Sequence, residues 1–144
     1  DCLYMGNIDS KRDWGHAKDY VEMQWRILQQ KKPDDFVVAT GKQASVREFI
    51  ELITQYLNWG KIQWEGEGIN EIGRRSDNGD VVVRINPKFF RPAEVDTLLG
   101  NPNKAKNILG WESTTTLQEL AIEMISDDLA NTKKEYLINK KTEK

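Results

Sequence analysis

Three side chains in this sequence are suited to holding a charged ligand: Arg12, Arg91 and Glu94. Arg91 and Glu94 stand in "FFRPAEVDTLLGNPNKA", residues 89 to 105. A guanidinium stays charged at cellular pH and offers two parallel N–H donors, a match for two phosphate oxygens. Pro92 lacks an N–H, fixes its own φ and biases Arg91 away from helix, so the arginine is held extended while Glu94 enters the next turn. A carboxylate at that point can accept hydrogen bonds from ribose hydroxyls, the neighbours of a diphosphate. The stretch therefore reads as half of a clamp for a nucleoside diphosphate, with Arg12 in "SKRDWGHA", in the turn before the first helix, as a second cation. R-P-x-E is short, and the other reading is that Arg91 and Glu94 pair with each other or with Asp96.

Other chemistry is sparse. His16 is the single histidine, so imidazole metal clusters are excluded and a triad has one possible base. Its place at a helix start fits a packed or hydrogen-bonded residue better than a catalyst. Asp34 and Asp35 follow Pro33 and read as solvated turn residues. Gly66, Gly68 and Gly73 lack the dinucleotide fingerprint spacing. Tyr136 and Lys140 formally fit Y-x-x-x-K but sit in a charged tail without a nucleotide fingerprint, and we read the match as coincidence. The five tryptophans read as packing rather than stacking platforms, and Cys2 alone makes no disulfide.

The elements that must position these residues are those of a mixed α/β chain. Leu3 to Met5 suggests a strand ending at Gly6-Asn7. Ala17, Val21, Trp25 and Leu28 recur at helical steps and predict the buried face of a helix stopping before Pro33. "DFVVAT", residues 35 to 40, is β-branched without alternation and predicts a strand buried on both faces. Ser45 and Glu48 form a capping box for a helix with Val46, Phe49, Ile50, Ile53 and Leu57 on one side. "KIQWEG" alternates as a strand, and Asn78-Gly79 predicts a type I′ turn leading a hairpin into "DVVVRIN". Asn101-Pro102 opens a short helix closed by Gly110. Thr116 and Glu119 cap another, followed by a polar tail over 133–144 expected to be disordered. No function attaches to Gly66–Asp80.

At 144 residues the chain has the size of one domain. Its 21 Lys plus Arg nearly balance 23 Asp plus Glu, which argues against nucleic-acid binding as the main activity. No apolar run approaches the ~18 residues of a membrane span and no signal peptide is visible, so a cytoplasmic protein is the plain expectation. The opening "DCLYMGNIDS" has no initiator methionine and leads us to expect a piece of something longer.

Taken together, "GNIDSKRDWGHAKDYVEMQW", "DDFVVATGKQASVREFIE", "FFRPAEVDTLLGNPNKAKNILGW" and the closing helix resemble the C-terminal portion of the GDP-mannose 4,6-dehydratases, within the extended short-chain dehydrogenase/reductase superfamily. The likeness runs from about Leu3 to Leu129. It implies an α/β fold: the substrate-binding part, over 1–132, with late Rossmann elements at about 16–40 but without the nucleotide-binding half. It also implies an activity for the full-length protein. GDP-mannose is oxidised at C4 by NADP, loses water across C5 and C6, and is reduced at C6, giving GDP-4-keto-6-deoxymannose, a precursor of GDP-fucose. NADP and the catalytic residues would belong to the missing N-terminal domain, so none is expected here and the fragment alone would be inactive. By the same resemblance Arg12 and Arg91 contact the phosphates and Glu94 the ribose, and a homodimer or homotetramer is expected. Two alternatives stand beside this: an epimerase or reductase on another nucleotide sugar, or a non-catalytic binding module with the same fold.

Overall fold

A computed structural model describes residues 2–142, with side chains to Lys140. Ten principal elements follow one another: β1 (Leu3–Met5), β2 (Lys11–Asp13), α1 (Ala17–Leu28), β3 (Gln43–Ser45), α2 (Val46–Tyr56), β4 (Ile62–Glu65), β5 (Ile72–Arg75), β6 (Val81–Ile85), α3 (Asn103–Leu109) and α4 (Leu117–Thr142). Four strands form one sheet in the order β1-β6-β5-β4, and β2 pairs with β3 in a second, two-stranded sheet. Strand β1 runs parallel to β6, whereas β4, β5 and β6 are antiparallel neighbours.

Local chemistry accounts for most of these pieces. The run "VVVRI" alternates, and Val83 and Ile85 are the side chains it buries. The β5–β6 hairpin forms as expected, but its loop is not a type I′ turn, which needs positive φ at both central residues. Only Gly79 (φ 78°) adopts one, its N–H donating to the Arg75 carbonyl at 2.9 Å. The Ser45–Glu48 box closes reciprocally: Ser45 Oγ accepts from the Glu48 N–H at 3.1 Å, and Glu48 accepts from the Ser45 N–H at 2.6 Å. Helix α2 packs its apolar side toward α4, with Phe49 stacked on Trp14 at 4.7 Å. Helix α3 starts at Asn103, where the Asn101 side chain accepts from the Asn103 N–H at 3.0 Å. It ends at Gly110 in the left-handed conformation (φ 61°).

The structure corrects two expectations about the segment between β2 and β3. The buried side of α1 is not Ala17, Val21, Trp25 and Leu28. Val21 and Trp25 are each 61% exposed and Leu28 is 80% exposed. The side carrying Tyr20, Met23 and Ile27 packs instead around Trp111 and Ala105, together with Phe36, Val38 and Leu109. Both sides of α1 are apolar, and spacing identifies a stripe without saying which one finds a partner. Residues 35–40 are not a strand. Their β-branched side chains favour extended backbone, but a strand needs a ladder partner, and none faces them among the described residues. They are fixed by packing: Ala39 is buried, and a Cβ at Gly100 would lie 2.2 Å from the Ala39 Cβ, so only glycine allows that approach.

Helix α4 runs on through residues 133–142; Glu143 and Lys144 lie outside the described residues. "KKEYLINKK" contains good helix formers that extend an already nucleated helix at little cost, and Lys140 lies over the Tyr136 ring at 5.9 Å. At the other end, Thr116 and Glu119 make the expected box, with Thr116 N–H donating to Glu119 at 2.8 Å.

Just before α4, the loop 113–115 wraps the buried carboxylate of Asp19. Ser113 Oγ and the Thr114 and Thr115 N–H groups donate to Oδ2 at 3.0, 3.0 and 2.9 Å. Burial pushes this carboxyl upward, but the hydrogen bonds from Ser113, Thr114 and Thr115 outweigh it and hold the pKa at about 2, against 3.8 for a free side chain. Because the folded value is depressed, the stabilisation is fully present above the unfolded value and fades as pH falls toward the folded one. A depression of this size corresponds to roughly 2 kcal/mol. Asp19→Asn is therefore expected to lower the melting temperature at neutral pH, and its penalty should shrink between about pH 4 and about pH 2. Melting curves of both proteins across that range check this, and a penalty independent of pH would contradict it.

Candidate functional site

Arg12 lies on strand β2, opposite Ala44 of β3, and not in a turn as the sequence suggested. Its strand neighbours face other tasks. Asp13 accepts from the Thr40 N–H and hydroxyl and from the Gly41 N–H at 2.8, 2.6 and 2.9 Å, tying β2 to the end of the extended segment. Lys11 lines a cavity of about 590 Å³. On its other edge β2 meets the loop after β6: the Lys11 N–H donates to the Asp96 carbonyl at 2.8 Å, and Leu98 N–H donates back to Lys11 at 3.3 Å. This pairing brings residues 94–98 alongside Arg12.

The three candidate residues converge. Arg12 Nη2 donates to Glu94 Oε1 at 2.8 Å, and Arg12 Nη1 donates to the carbonyls of Lys11 and Val95 at 2.8 and 2.9 Å. A guanidinium has five N–H groups. These contacts leave the Nε–H and one Nη2–H of Arg12 uncommitted. Arg91 Nη1 stands 4.0 Å from Glu94 Oε2, the second oxygen of the same carboxylate. The Arg91 side chain is 78% exposed and makes no hydrogen bond among the described residues, whereas the Glu94 side chain is only 18% exposed. Two guanidinium groups share one carboxylate, so the cluster keeps a net positive charge and favours an anion. Its spare donors suit phosphate, and the outward Glu94 Oε2 can accept from a hydroxyl. The internal pairing weighed as an alternative also exists here, but it commits only part of the donor set.

The cavity that Lys11 lines is walled by Asn7, Asp9, Glu71, Phe90, Asp96 and Thr97, among others, and by none of Arg12, Arg91 and Glu94. Its rim is held by Arg47, which the sequence presented only as the interior of a capping box. Arg47 binds Asp9 through Nε and Nη2 at 2.6 and 2.8 Å and Glu71 through Nη1 at 2.7 Å, with its guanidinium 4.4 Å from the Trp64 ring centroid. The Arg47 hydrogen bond holds the Asp9 carboxyl below its usual range, and Asp9 in turn raises the arginine further. This pairing joins the loop after β1, the start of α2 and the β4–β5 hairpin. Asn7 was read from the sequence as a strand end. Its side chain instead grips the Arg91 backbone, accepting from the N–H at 2.8 Å and donating to the carbonyl at 3.0 Å.

The remaining candidates lie apart from the cluster. His16 caps α1, its Nδ1 accepting from the Lys18 N–H at 3.0 Å and its Nε2 lying 3.2 Å from Glu123. Asp34 pairs with Lys104 at 2.6 Å on the surface. Tyr136 and Lys140 are exposed on the last turns of α4. No helix among the described residues is long and apolar enough to cross a membrane.

Comparison with known proteins places this architecture. It matches the structure of RMD from Pseudomonas aeruginosa complexed with NADPH at a TM-score of 0.65 and 20% identity, over 87% of this chain and 35% of that one. UDP-glucose-4-epimerase from Stenotrophomonas maltophila, solved with NAD and formylated UDP-arabinopyranose, matches at 0.65 and 16% identity, over 92% and 36%. The fold is thus the C-terminal part of an extended short-chain dehydrogenase/reductase. Within that class, residues 1–124 match the model of the GDP-mannose 4,6 dehydratase family. A GDP-mannose 4,6-dehydratase of Yersinia enterocolitica is 50% identical over 96% of this chain, GDP-mannose 4,6 dehydratase 2 of Caenorhabditis elegans 56% over 89%, and the Homo sapiens enzyme 49% over 90%. The chain belongs to the GDP-mannose 4,6-dehydratase family. It spans 40%, 33% and 34% of the length of those three relatives.

Proposed function

We propose that this chain is the GDP-mannose-binding part of a GDP-mannose 4,6-dehydratase, with Arg12 and Arg91 on the diphosphate and Glu94 on the ribose. The observation that carries this reading is the convergence of those three side chains, with Arg12 brought against Glu94 from 82 positions away in sequence. On this reading the reaction of the full-length protein is NADP-mediated oxidation at C4, loss of water across C5 and C6, and reduction at C6 to GDP-4-keto-6-deoxymannose. The residues described here do not fit NADP. Gly66, Gly68 and Gly73 belong to the β4–β5 connection and to β5, where the described residues form only a three-residue 3-10 turn (Gly68–Asn70) and no α-helix to receive a pyrophosphate, and the Tyr136–Lys140 pair faces solvent.

Holding the cofactor therefore falls to the part of the full-length enzyme outside this chain, and we place that part against two features of it. One is the exposed stripe of Val21, Trp25 and Leu28, and the other is segment 35–40, whose composition suits a strand and which has no ladder partner among the described residues. On this reading residues 1–132 form the substrate-binding region, the chain alone is inactive, and the full-length protein is a cytoplasmic homo-oligomer as expected of the family. The test is turnover by the full-length protein. With GDP-mannose and NADP it should release a product one water lighter, as read by mass. A product of unchanged mass would mark an epimerase, and no conversion would mark a binding module.

A further inference from the structure

The Arg91 guanidinium makes no hydrogen bond among the described residues, but its backbone does. The parallel β1–β6 pair is prolonged by Asn86, whose N–H donates to the Met5 carbonyl at 2.8 Å, so both strands end at the same place. After β6 the chain turns back on itself, with the Phe89 and Phe90 N–H groups donating to the Asn86 carbonyl at 2.9 and 3.1 Å. That turn lays residues 89–91 directly across the loop after β1. A Cβ at Gly6 would stand 2.3 Å from the Phe89 carbonyl oxygen, so glycine is required for the two backbones to touch. Asn7 then meets Arg91 with both ends of its amide, 84 positions away in sequence.

From this geometry we infer that Asn7 is a positioning residue for Arg91, acting on ligand affinity through the arginine and not by touching the ligand. The inference rests on the phosphate role proposed above for Arg91. An amide presents a donor and an acceptor at the separation of a peptide N–H and C=O, so Asn7 acts as a one-residue ladder partner. The Arg91 N–H and carbonyl have no other partner among the described residues, and Pro92 contributes no N–H of its own. With Asn7 in place, the Cα from which the guanidinium hangs is fixed while the side chain remains free to turn toward an anion. Fixing the base of a mobile arm before the ligand arrives lowers the ordering cost of binding.

Calorimetric titration of GDP into the full-length protein tests this as a double-mutant cycle of Asn7→Ala and Arg91→Ala. Asn7→Ala should weaken GDP by about 5- to 20-fold, and in the Arg91→Ala background it should add less than about 2-fold, because its route to the ligand is gone. In turnover the same variant should raise KM for GDP-mannose while leaving kcat within about 2-fold. A general loss of structure would not vanish in the arginine-free background. Asn7→Ser keeps one of the two bonds and should fall between wild type and alanine, which preserves the test if alanine prevents folding. Independent, multiplying losses would overturn the inference, because Asn7 would then be acting on the ligand or on the fold. So would an unchanged affinity in Asn7→Ala beside a weakened Arg91→Ala. If Arg91→Ala itself binds GDP normally, the phosphate role falls first and this inference falls with it.

Discussion

Arg91→Ala is expected to weaken GDP binding to the full-length protein by about 1.5–3 kcal/mol, the worth of a hydrogen bond between charged partners. In affinity that is on the order of 10- to 100-fold. Its melting temperature should barely move, since the side chain is 78% exposed and its one ionic neighbour lies at 4.0 Å. Arg12→Ala provides the contrast. It should lose affinity to a similar degree and melt lower as well, because Arg12 also bonds the Lys11 and Val95 carbonyls and leaves Glu94 without its close partner. Calorimetry and melting on the two variants separate ligand recognition from loop anchoring. Equal melting losses would mean that Arg91 is a structural residue.

Trp111→Ala should have the largest effect on stability, about 3–5 kcal/mol, as for other large aromatic truncations in cores. Trp111 is 2% exposed and lies at the centre of the Met23–Ala105 cluster. Its Nε1 donates to the Asp19 carbonyl at 3.0 Å, and its ring meets Tyr20 at a centroid distance of 6.3 Å. The substitution therefore opens a cavity and removes a buried hydrogen bond. It also loosens the joint between α1 and the loop that wraps Asp19. Since domains of this size are stable by only about 5–15 kcal/mol, much of the margin would go. Trp25→Ala, at a site 61% exposed in this chain, should stay within about 1 kcal/mol by urea unfolding of this chain alone, without the part proposed to cover it. Reversal of that order would mean the buried side of α1 has been misassigned.

The outcome at each position depended on how far away the deciding partner lay. The boxes at Ser45–Glu48 and Thr116–Glu119 and the left-handed Gly110 were legible because each closes within a few residues. So were the β5–β6 hairpin and the strand of "KIQWEG". The arginines and the glutamate were legible as types, since Pro92 fixes the backbone beside Arg91 and a guanidinium suggests an anion wherever it stands. That they meet was carried only by the family likeness, because contact across 82 positions leaves no local trace. Where two readings compete locally, the fold decides. Helix α1 has apolar side chains on both sides, and the stripe chosen from spacing was the uncovered one. Residues 35–40 have strand composition but no ladder among the described residues. Asn7 and Arg47 were missed for one reason: Gly6-Asn7 reads as a strand end and S-V-R-E as a cap, and both readings are correct without being complete.

The central claim is that two guanidinium groups and one carboxylate, drawn from segments about 80 positions apart in this chain, hold a single nucleoside diphosphate. A crystal structure of the full-length protein with GDP tests it most directly. The account predicts diphosphate oxygens within about 3 Å of both Arg12 and Arg91, with a ribose hydroxyl on Glu94. GDP bound elsewhere, with the Arg12–Glu94 pair closed and Arg91 still facing solvent, would contradict it.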